Sequence, residues 1–272
     1  MVKKVLITGS SGYIGSHLCE LLEGEYEVHG LDLNMPQTSV DRFYKQDITR
    51  LFESETEYDA VIHLAALVRV GESEQIPIKY YITNLNGTMN ILNRVKTKNF
   101  IFASTGAAQD CNSAYGISKR AAEDVVREYC TQHKQQDYTI FRFYNVVGSE
   151  GFNPTNPDGL MWKLMEAEDT GTFTVYGNDY QTQDGTCVRD YVHVMEICDA
   201  LKQAIEKPSN KIECLGHGVG YTVNEIARLF REVNDCDFDI KYGPRRKGDT
   251  PSSVLEDVSP YMRNLYTIEQ LL

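Results

Sequence analysis

Short apolar runs alternate along the chain with stretches in which apolar residues recur at every third or fourth position. The runs have the length and β-branched content of buried strands, and the periodic stretches have the spacing of amphipathic helices. Near-continuous apolar strands that alternate with helices indicate a parallel sheet covered on both faces. The pattern therefore predicts an α/β fold with a Rossmann-type, doubly wound parallel sheet. The predicted strands are residues 5–8, 28–32, 59–65, 99–103 and 139–146, and the clearest predicted helices are residues 80–95 and 115–131.

A glycine-rich turn follows the first predicted strand directly. Gly9, Gly12 and Gly15 lie in this turn, an amphipathic stretch comes after them, and the second strand ends at Asp32. Glycines at this spacing permit a tight turn and let the backbone approach a pyrophosphate at the start of the helix. The Asp32 carboxylate would accept hydrogen bonds from an adenosine ribose and repel a 2′-phosphate. The pattern predicts NAD in preference to NADP, with a glycine-rich turn that binds nothing as the alternative.

A hydroxyl, a phenol and an amine follow the strand at 99–103. Thr105 lies at the carboxyl end of that strand, where open α/β sheets bind their ligands. Tyr115 and Lys119 are one helical turn apart, so their side chains project from one face of a helix. The lysine and an oxidised nicotinamide would both favour the phenolate, which could then take a proton from a substrate hydroxyl. The alternative is a surface Tyr/Lys pair at the start of a helix.

Composition indicates which classes of partner the chain can bind and in which cellular compartment it is expected. The 272-residue chain has a formal net charge of −12, which argues against nucleic acid or an anionic membrane as its main partner. Its seven cysteines are odd in number and form no CxxC pair, so we expect reduced thiols, no metal site and no disulfide framework. Because it has no long apolar run and no apolar leader, we expect a cytoplasmic protein. The basic stretch of Arg245, Arg246 and Lys247 would suit a small anionic ligand or a solvated turn.

A loop rich in asparagine, proline and glycine separates the two halves of the chain. This loop covers residues 149–159, and residues of these types commonly connect structural elements. We expect residues 1–148 to form an NAD-binding domain. Residues 149–272 are expected to form a smaller, mixed α/β lobe that binds the substrate.

Together these motifs resemble those of the extended short-chain dehydrogenase/reductase family. The glycine motif, the strand-end threonine and the Tyr-x-x-x-Lys pair carry the general likeness. The segments “YGNDYQTQDGTCVRDYVHV” (176–194) and “GPRRKGDTP” (243–251) are more specific, and they are similar to segments of the nucleotide-sugar 4-epimerases in that family. The likeness spans nearly the whole chain. It implies NAD-dependent 4-epimerisation of a UDP-hexose (UDP-galactose or UDP-glucose) through a 4-keto intermediate, in a homodimer whose residues 186–207 return to the first domain.

The resemblance also implies roles for the matching positions. Tyr115 would be the base, Lys119 its partner and the anchor of a cofactor ribose, and Thr105 the second hydroxyl at the substrate. Arginines suit a diphosphate because their forked donors make charge-assisted hydrogen bonds. The other cofactor-binding positions would be Gly9, Gly12, Tyr13, Ile14, Gly15, Asp32, Asp47, Ile48, Leu64, Ala65, Ala66 and Asn84. The positions that would hold the uridine diphosphate are Asn145, Arg189, Arg246 and Asp249.

The residues after Thr105 distinguish the implied reaction from those of related enzymes. Related 4,6-dehydratases carry Asp-Glu there and decarboxylating relatives carry a glutamate, whereas this chain has Gly106, Ala107 and Ala108. Because none of these residues could transfer a proton for elimination, the resemblance favours re-reduction of the 4-ketone. Two alternatives stay open: another NAD-dependent sugar-nucleotide epimerase or oxidoreductase, and a non-catalytic NAD-binding regulator.

One loop and three single positions depart from the family's pattern. Tyr115 comes only ten positions after Thr105, where related epimerases have a longer loop. Val68 stands where relatives often have a cofactor-contacting lysine, and Gly159 replaces an asparagine that usually contacts the substrate. Ser253 is small where a bulky aromatic residue restricts the 2-substituent of the sugar, which implies that N-acetylated UDP-hexosamines also fit.

Overall fold

The chain divides into two compact units. Unit 1 consists of Met1–Phe143 and Ile197–Glu213, and unit 2 consists of Tyr144–Glu196 and Cys214–Leu272. The expected boundary after residue 148 falls inside unit 2, and of the stretch 186–207 the residues from Ile197 onward belong to unit 1. The computed structural model describes residues 2–50, 52–132, 136–149, 151–246, 249–263 and 265–272. Lys247 of the basic stretch lies outside the described residues.

Strands and helices alternate regularly in the first half of the chain and less regularly in the second. The strands are β1 (Lys4–Thr8), β2 (Glu27–Asp32), β3 (Arg42–Lys45), β4 (Ala60–His63), β5 (Asn99–Thr105), β6 (Asp137–Phe143), β7 (Asn145–Val147), β8 (Thr172–Tyr176), β9 (Val188–His193), β10 (Ile212–Leu215), β11 (Gly220–Thr222), β12 (Asp239–Gly243) and β13 (Ser252–Ser253). The helices are α1 (Tyr13–Leu22), α2 (Val70–Gln75), α3 (Pro77–Tyr80), α4 (Gly87–Arg94), α5 (Ala107–Asp110), α6 (Ala114–Gln132), α7 (Leu160–Thr170), α8 (Val194–Glu206) and α9 (Val223–Asn234). A π-helical turn (Tyr81–Asn86) joins α3 to α4, and a 3-10 turn covers Glu269–Leu271. Within the described ranges, no helix combines the length and the apolar character needed to cross a membrane.

The large sheet has the strand order β10-β6-β5-β4-β1-β2-β3. Neighbouring strands from β3 to β6 pair in parallel. The strand order reverses between β1 and β4, so the carboxyl ends of these two strands border the crevice in which doubly wound folds bind ligands. This topology confirms the predicted Rossmann-type fold.

The central strands of this sheet are buried on both faces. All four residues of β4 are buried, as are the last four residues of β1. On one face, Phe100 and Phe102 of β5 and Ile140 of β6 share a core with Ile91 of α4 and Val126 of α6. Burial on both faces explains why these strands have near-continuous apolar sequences instead of an alternating pattern.

Two details of the sheet differ from the predicted strands. The strand predicted at 139–146 is two strands, because β6 ends at Phe143 and the chain then enters β7, which pairs with β9 in unit 2. The apolar pattern continues through both strands, so periodicity alone does not show the change of sheet. Strand β3 was not predicted because it is an edge strand with two exposed and two half-buried residues, which leaves no apolar run in the sequence.

Unit 2 contains two smaller sheets. In one, β9 pairs antiparallel with β11 and parallel with β7 and β13. In the other, β8 and β12 run parallel. Phe173 of β8, Tyr191 of β9 and Phe230 of α9 belong to the core of this unit. The strand directions confirm the mixed α/β character predicted for the second half of the chain.

A buried carboxylate fixes the loops around β9. Asp190 is fully buried, and its carboxylate accepts the N–H groups of His217 and Gly218 at 2.8 Å each and that of Leu255 at 3.2 Å. Burial raises the pKa of Asp190, and the three donors act against that rise. Three backbone donors satisfy a carboxylate that would otherwise be costly to bury. They hold two loops of unit 2 against the strand that also carries Arg189.

Candidate active site

The glycine-rich turn packs against the chain at the end of β4. Gly9 has a φ of +77°, and a Cβ added there would lie 2.7 Å from the backbone nitrogen of Ala65 and 3.0 Å from the carbonyl carbon of Leu64. A Cβ on Gly15 would lie 2.0 Å from the carbonyl oxygen of Gly9. Neither position can hold a side chain without moving backbone. The turn therefore brings α1 close to the predicted cofactor residues Leu64 and Ala65, with Ala66 next in the chain.

The start of α1 is suited to an anion. Its N-cap residue, Gly12, has no side chain to accept the first N–H groups, and the first turn, which begins with Tyr13 and Ile14, contains no acidic residue. The N–H groups at the start of a helix and the helix dipole favour a phosphate. The Asp32 carboxylate, at the end of β2, accepts the Ser11 N–H at 3.1 Å and so lies beside the turn. These residues fit the pyrophosphate and the adenosine ribose of NAD.

Asp47 and Ile48 lie on the loop that follows β3. The Asp47 carboxylate accepts the N–H and the hydroxyl of Thr49, both at 2.8 Å. Ile48 is buried, and a Cβ on Gly87 at the start of α4 would lie 2.7 Å from its Cδ1. These contacts fix the loop against α4. That Asp47 and Ile48 flank an adenine stays a prediction.

Asn84, on the π-helical turn, joins the loop after β4 to helix α6. Its Oδ1 accepts the Leu67 N–H at 2.8 Å, and its Nδ2 donates to the Leu67 carbonyl oxygen at 2.9 Å and to the Ser118 hydroxyl at 3.0 Å. The Ser118 hydroxyl donates in turn to the carbonyl oxygen of Tyr115 at 2.7 Å. The Asn84 side chain is thus engaged within the protein, and it positions the predicted cofactor loop relative to the helix that carries Tyr115.

The short connection between Thr105 and Tyr115 is closed by the single helical turn α5. Cys111 follows this turn with a φ of +54°. A Cβ on Gly116 would lie 2.5 Å from the carbonyl oxygen of Ala107, so α5 packs directly on the first turn of α6. The connection places the Thr105 hydroxyl near enough to the Tyr115 phenol to lower its pKa.

Residues of α2 and α3 hold the start of α6. Glu74 accepts the N–H of Ala114 at 3.0 Å. The rings of Tyr80 and Tyr115 meet edge to face, with their centroids 6.4 Å apart. The Tyr80 hydroxyl donates to the Glu72 carboxylate at 2.8 Å, which fixes the Tyr80 ring. These contacts orient the Tyr115 phenol.

Burial dominates the electrostatics of Tyr115 and Lys119, which are 9% and 3% exposed. Burial raises the pKa of Tyr115 to about 12, and the hydrogen bond with Thr105 acts to lower it. Burial lowers the pKa of Lys119 to about 7, against the attraction of the Glu123 carboxylate. The spacing of Tyr115 and Lys119 predicts that the lysine and an oxidised nicotinamide lower the tyrosine pKa. In the chain itself the desolvation of the phenolate is the largest effect, and it raises the pKa of Tyr115.

His63, the last residue of β4, is a residue of the site that the sequence analysis missed. Its ring is fully buried, and its nitrogens bond to the hydroxyls of Thr8 at 2.6 Å and Thr88 at 3.0 Å. Burial lowers the pKa of His63 to about 3, so the ring is neutral. The Thr8 hydroxyl also accepts the N–H of Ala65 at 3.3 Å. His63 therefore fixes the loop behind the glycine turn, and a histidine at the end of an apolar strand was the signal available in the sequence.

Unit 2 brings together three of the four residues predicted to hold the diphosphate. The Asp249 carboxylate accepts Nε of Arg246 at 2.9 Å and lies 3.8 Å from Nη2 of Arg189. The Arg246 guanidinium lies over the Tyr176 ring, 5.1 Å from its centroid. The fourth residue, Asn145, donates to a carbonyl oxygen of β9 at 2.8 Å. Two arginines that share one carboxylate leave a net positive charge in this cluster.

Val68 stands where relatives often have a lysine, and the neighbouring Arg69 does not take the place of that lysine. Val68 is 45% exposed, and the guanidinium of Arg69 lies 3.7 Å from the Glu72 carboxylate, so its charge is directed toward α2. Gly159, where relatives have an asparagine, is the N-cap residue of α7. Among the residues that the structure describes, no group of three His, Cys, Asp or Glu side chains is placed to hold a metal ion.

Comparison with known proteins identifies similar families and structures. The model of the NAD dependent epimerase/dehydratase family matches residues 5–214. The UDP-glucose 4-epimerase of Bacillus subtilis is 32% identical over 294 residues, which cover 90% of this chain and 86% of that protein. The structure of UDP-glucose 4-epimerase from Bifidobacterium longum in complex with NAD+ and UDP has a TM-score of 0.86 and 26% identity, covering 98% of this chain and 95% of that one. The UDP-Glc/GlcNAc 4-epimerase from Campylobacter jejuni has a TM-score of 0.80 and 28% identity, covering 99% and 96% of the two chains.

Substitution of Gly15 tests the fit of the glycine turn to NAD. We expect Gly15→Ala to reduce the affinity for NAD by at least roughly tenfold, because the added Cβ would lie 2.0 Å from the Gly9 carbonyl oxygen and displace the turn. The matched control is Gly71→Ala in α2, where an added Cβ meets nothing within 4 Å. NAD affinity is measured by titration calorimetry, with circular dichroism as the check of folding. Equal NAD affinity in the two variants would contradict the assignment.

Proposed function

The chain belongs to the NAD dependent epimerase/dehydratase family, and we propose that it interconverts UDP-galactose and UDP-glucose by NAD-dependent 4-epimerisation through a 4-keto intermediate. The observation that carries this proposal is the trio of unit 1, in which the half-buried Thr105 lies near the buried Tyr115, and the buried Lys119 follows one turn later on α6. These groups supply a base for a sugar hydroxyl. The similarity to UDP-glucose 4-epimerases over nearly the whole chain supports the same reaction.

The residues around the glycine turn would hold the cofactor. Gly9, Gly12 and the start of α1 bind the pyrophosphate, and Asp32 accepts hydrogen bonds from the adenosine ribose. Lys119 holds the second ribose. When bound, NAD supplies reversible acceptance of a hydride, so the reaction consumes no external reductant.

Tyr115 is the base of the proposed reaction. Its phenolate takes the proton of the C4 hydroxyl, and Thr105 hydrogen-bonds to the same oxygen. Because burial raises the pKa of Tyr115 to about 12, the phenolate forms at neutral pH only when positive charge is close to it. The Lys119 ammonium is one such charge. Returning the proton after reduction restores the phenol for the next turnover.

The residues that follow Thr105 favour epimerisation over elimination. Gly106 has no side chain, and Ala107 and Ala108 begin the short helix α5. Elimination of water from the 4-ketone needs an acid and a base at the sugar, and none of these residues supplies one. The ketone is therefore reduced again, and reduction of its opposite face gives the epimer.

The cluster in unit 2 would bind the nucleotide part of the substrate. Arg189 and Arg246 pair with the diphosphate through charge-assisted hydrogen bonds, and Asp249 suits a ribose diol. Asn145 lies on the strand next to the one that carries Arg189. Because these groups bind the nucleotide and not the reacting carbon, the sugar ring is free to present either face for reduction.

N-acetylated UDP-hexosamines are a second class of substrate that the chain would accept. Ser253 lies on β13 directly opposite Arg189 of β9, so it is placed beside a proposed diphosphate ligand. Its small side chain leaves room where a bulky aromatic residue would exclude an N-acetyl group. The similarity to a UDP-Glc/GlcNAc 4-epimerase is consistent with this broader specificity.

A homodimer would cover an apolar helical surface of unit 1. Ile78, Ile82 and Met89, on the helical run from α3 to α4, are 67%, 45% and 45% exposed, and Ile117 on α6 is 41% exposed. The elements α3 and α4 pack against α6. Several large apolar residues exposed on neighbouring helices are more typical of an interface than of a monomer's surface.

Cysteine chemistry supports a reducing compartment such as the cytoplasm. All seven cysteines are free, and Cys19, Cys130, Cys187 and Cys198 are buried. Burial raises the pKa of Cys19 and of Cys130 to about 12, which keeps both as unreactive thiols.

Replacement of the phenol tests the proposed reaction. We expect Tyr115→Phe to lower the turnover of UDP-galactose by roughly 100-fold to 10,000-fold, because it removes the group that transfers the proton. Turnover is followed by NMR of the anomeric proton, and bound NAD is measured in the same sample and expected to be unchanged. Tyr129→Phe, on the same helix, is the control and should leave turnover unaffected. Parental turnover by Tyr115→Phe would refute the mechanism.

Substitution of Ser253 tests the substrate range. We expect Ser253→Tyr to lower turnover of UDP-GalNAc much more than that of UDP-galactose, because the larger ring would occupy the space for the N-acetyl group. The control is Ser252→Tyr, since successive residues of a strand point to opposite faces. If the ratio of the two turnover rates is the same for Ser253→Tyr and the parent, Ser253 does not set this specificity.

Light scattering coupled to size exclusion tests the homodimer. The parent is expected to elute with twice the mass of the chain. The double variant Ile78→Lys/Ile82→Lys should be monomeric, because two ammonium groups would have to be buried in the interface. Val219→Lys, which replaces an exposed apolar residue of unit 2, is the control and should remain dimeric. A monomeric parent would exclude the proposed dimer.

A further inference from the structure

A third functional group continues the face of α6 that carries Tyr115 and Lys119. Glu123 lies one helical turn beyond Lys119 and is 1% exposed. Its carboxylate accepts Nε of Arg142 at 2.9 Å and Nη2 of Arg142 at 2.6 Å. The Ser104 hydroxyl donates to Oε1 of the same carboxylate. The carboxylate thus has three donors and almost no contact with water.

This buried cluster has no role in the steps described for the reaction so far. A buried ion pair is an inefficient way to stabilise a fold, because the cost of removing both charges from water offsets most of their attraction. A pair of apolar side chains of similar size would join helix and strand equally well. Packing alone therefore does not explain why the charged residues Glu123 and Arg142 occupy these positions.

The cluster joins β5 and α6, the two elements that carry the trio, to the neighbouring strand β6. Ser104 directly precedes Thr105 on β5, and Arg142 pairs with Ser104 across the β5–β6 ladder. Glu123 is on the helix that carries Tyr115. A forked hydrogen bond from Arg142 permits little rotation of the carboxylate. The distance between the end of β5 and the face of α6 is consequently fixed next to the point where Thr105 meets Tyr115.

The charged and titratable groups around Lys119 come from several elements. Tyr115 and Glu123 face it from α6, and His63, which is neutral, faces it from β4. The Phe102 ring of β5 lies under its ammonium, with Nζ 4.2 Å from the ring centroid. Arg142 of β6 is paired with Glu123, and of these two charges only that of Glu123 acts on the pKa of Lys119.

Groups on α2 and α3 face the start of α6 and not Lys119 itself. The Glu74 carboxylate accepts the Ala114 N–H, and the Tyr80 ring contacts Tyr115. Of the groups named here, Glu123 is the one whose negative charge raises the pKa of Lys119 against burial.

We propose that Glu123 is a positioning residue: held by Arg142 and Ser104, its carboxylate keeps the Lys119 ammonium charged beside Tyr115. The catalytic meaning of this inference rests on the proposed function. The charge of Lys119 can nevertheless be followed without substrate, so the two proposals can fail separately.

NMR titration of Lys119 tests the inference directly. The holoenzyme is labelled with isotope-enriched lysine, and the Lys119 signal is assigned with Lys119→Arg. We expect Glu123→Gln to lower the titration midpoint of Lys119 by about one pH unit, because a nearby opposite charge is lost while the shape of the side chain is kept. A midpoint that does not change would overturn the proposal.

The pH profile of turnover provides the catalytic readout. When Lys119 loses its charge at a lower pH, the Tyr115 phenolate becomes harder to form, so the acid limb of the profile should move to higher pH. Turnover of UDP-galactose at neutral pH should fall by roughly tenfold and recover in part at alkaline pH. An unshifted acid limb in Glu123→Gln would overturn the proposal. A parent without any turnover would refute the proposed function, and the Lys119 titration would still decide the role of Glu123.

A double variant separates charge from folding. Glu123→Gln alone leaves the Arg142 guanidinium buried without its partner, so this variant is expected to be less stable than the parent. Glu123→Gln/Arg142→Met removes both charges and should regain the parental melting temperature while the Lys119 midpoint stays lowered. If the double variant regained both the melting temperature and the parental Lys119 midpoint, Glu123 would act only through folding and the proposal would be wrong.

Discussion

Helix α1 passes so close to the turn before it that a Cβ on Gly15 would lie 2.0 Å from the carbonyl oxygen of Gly9. The same turn touches the backbone of Ala65, so the absence of two side chains lets β1, α1 and the end of β4 converge at one point of the sheet. That point is where the strand order reverses and where a parallel sheet offers a crevice. The buried hydrogen bonds of His63 with Thr8 and Thr88 join the end of β4 to β1 and α4 next to this point.

Desolvation is the second constraint, and it shifts the pKa values of His63, Tyr115 and Lys119. It keeps His63 neutral, raises the pKa of Tyr115 and lowers that of Lys119. Burial therefore orients Tyr115 and Lys119 and at the same time favours their uncharged forms. The Glu123 carboxylate acts against the shift of Lys119, and the forked bond from Arg142 holds that carboxylate in place.

The departures from the family's pattern are accommodated locally. The short connection after Thr105 becomes the single turn α5, which packs on α6 because Gly116 has no Cβ to obstruct the Ala107 carbonyl group. Thr105 still lies near enough to Tyr115 to lower the pKa of its phenol. In unit 2 Arg189 and Arg246 share the Asp249 carboxylate, which keeps the two guanidinium groups near each other.

Local patterns in the sequence determined the fold class, the glycine turn with Asp32, and the spacing of Tyr115 and Lys119 on one helical face, because each of these depends on residues that are close along the chain. The predicted strands β1, β2, β4 and β5 followed from apolar runs, whereas the edge strand β3 and the change of sheet after Phe143 left no such signal. The contacts of His63, Asn84 and Glu123 were decided only by the tertiary structure, since their partners come from other strands and helices. The tertiary structure also decided the direction of the Tyr115 and Lys119 pKa shifts. That direction depends on how completely the folded unit excludes water from the two side chains, and no short stretch of sequence shows the extent of this burial.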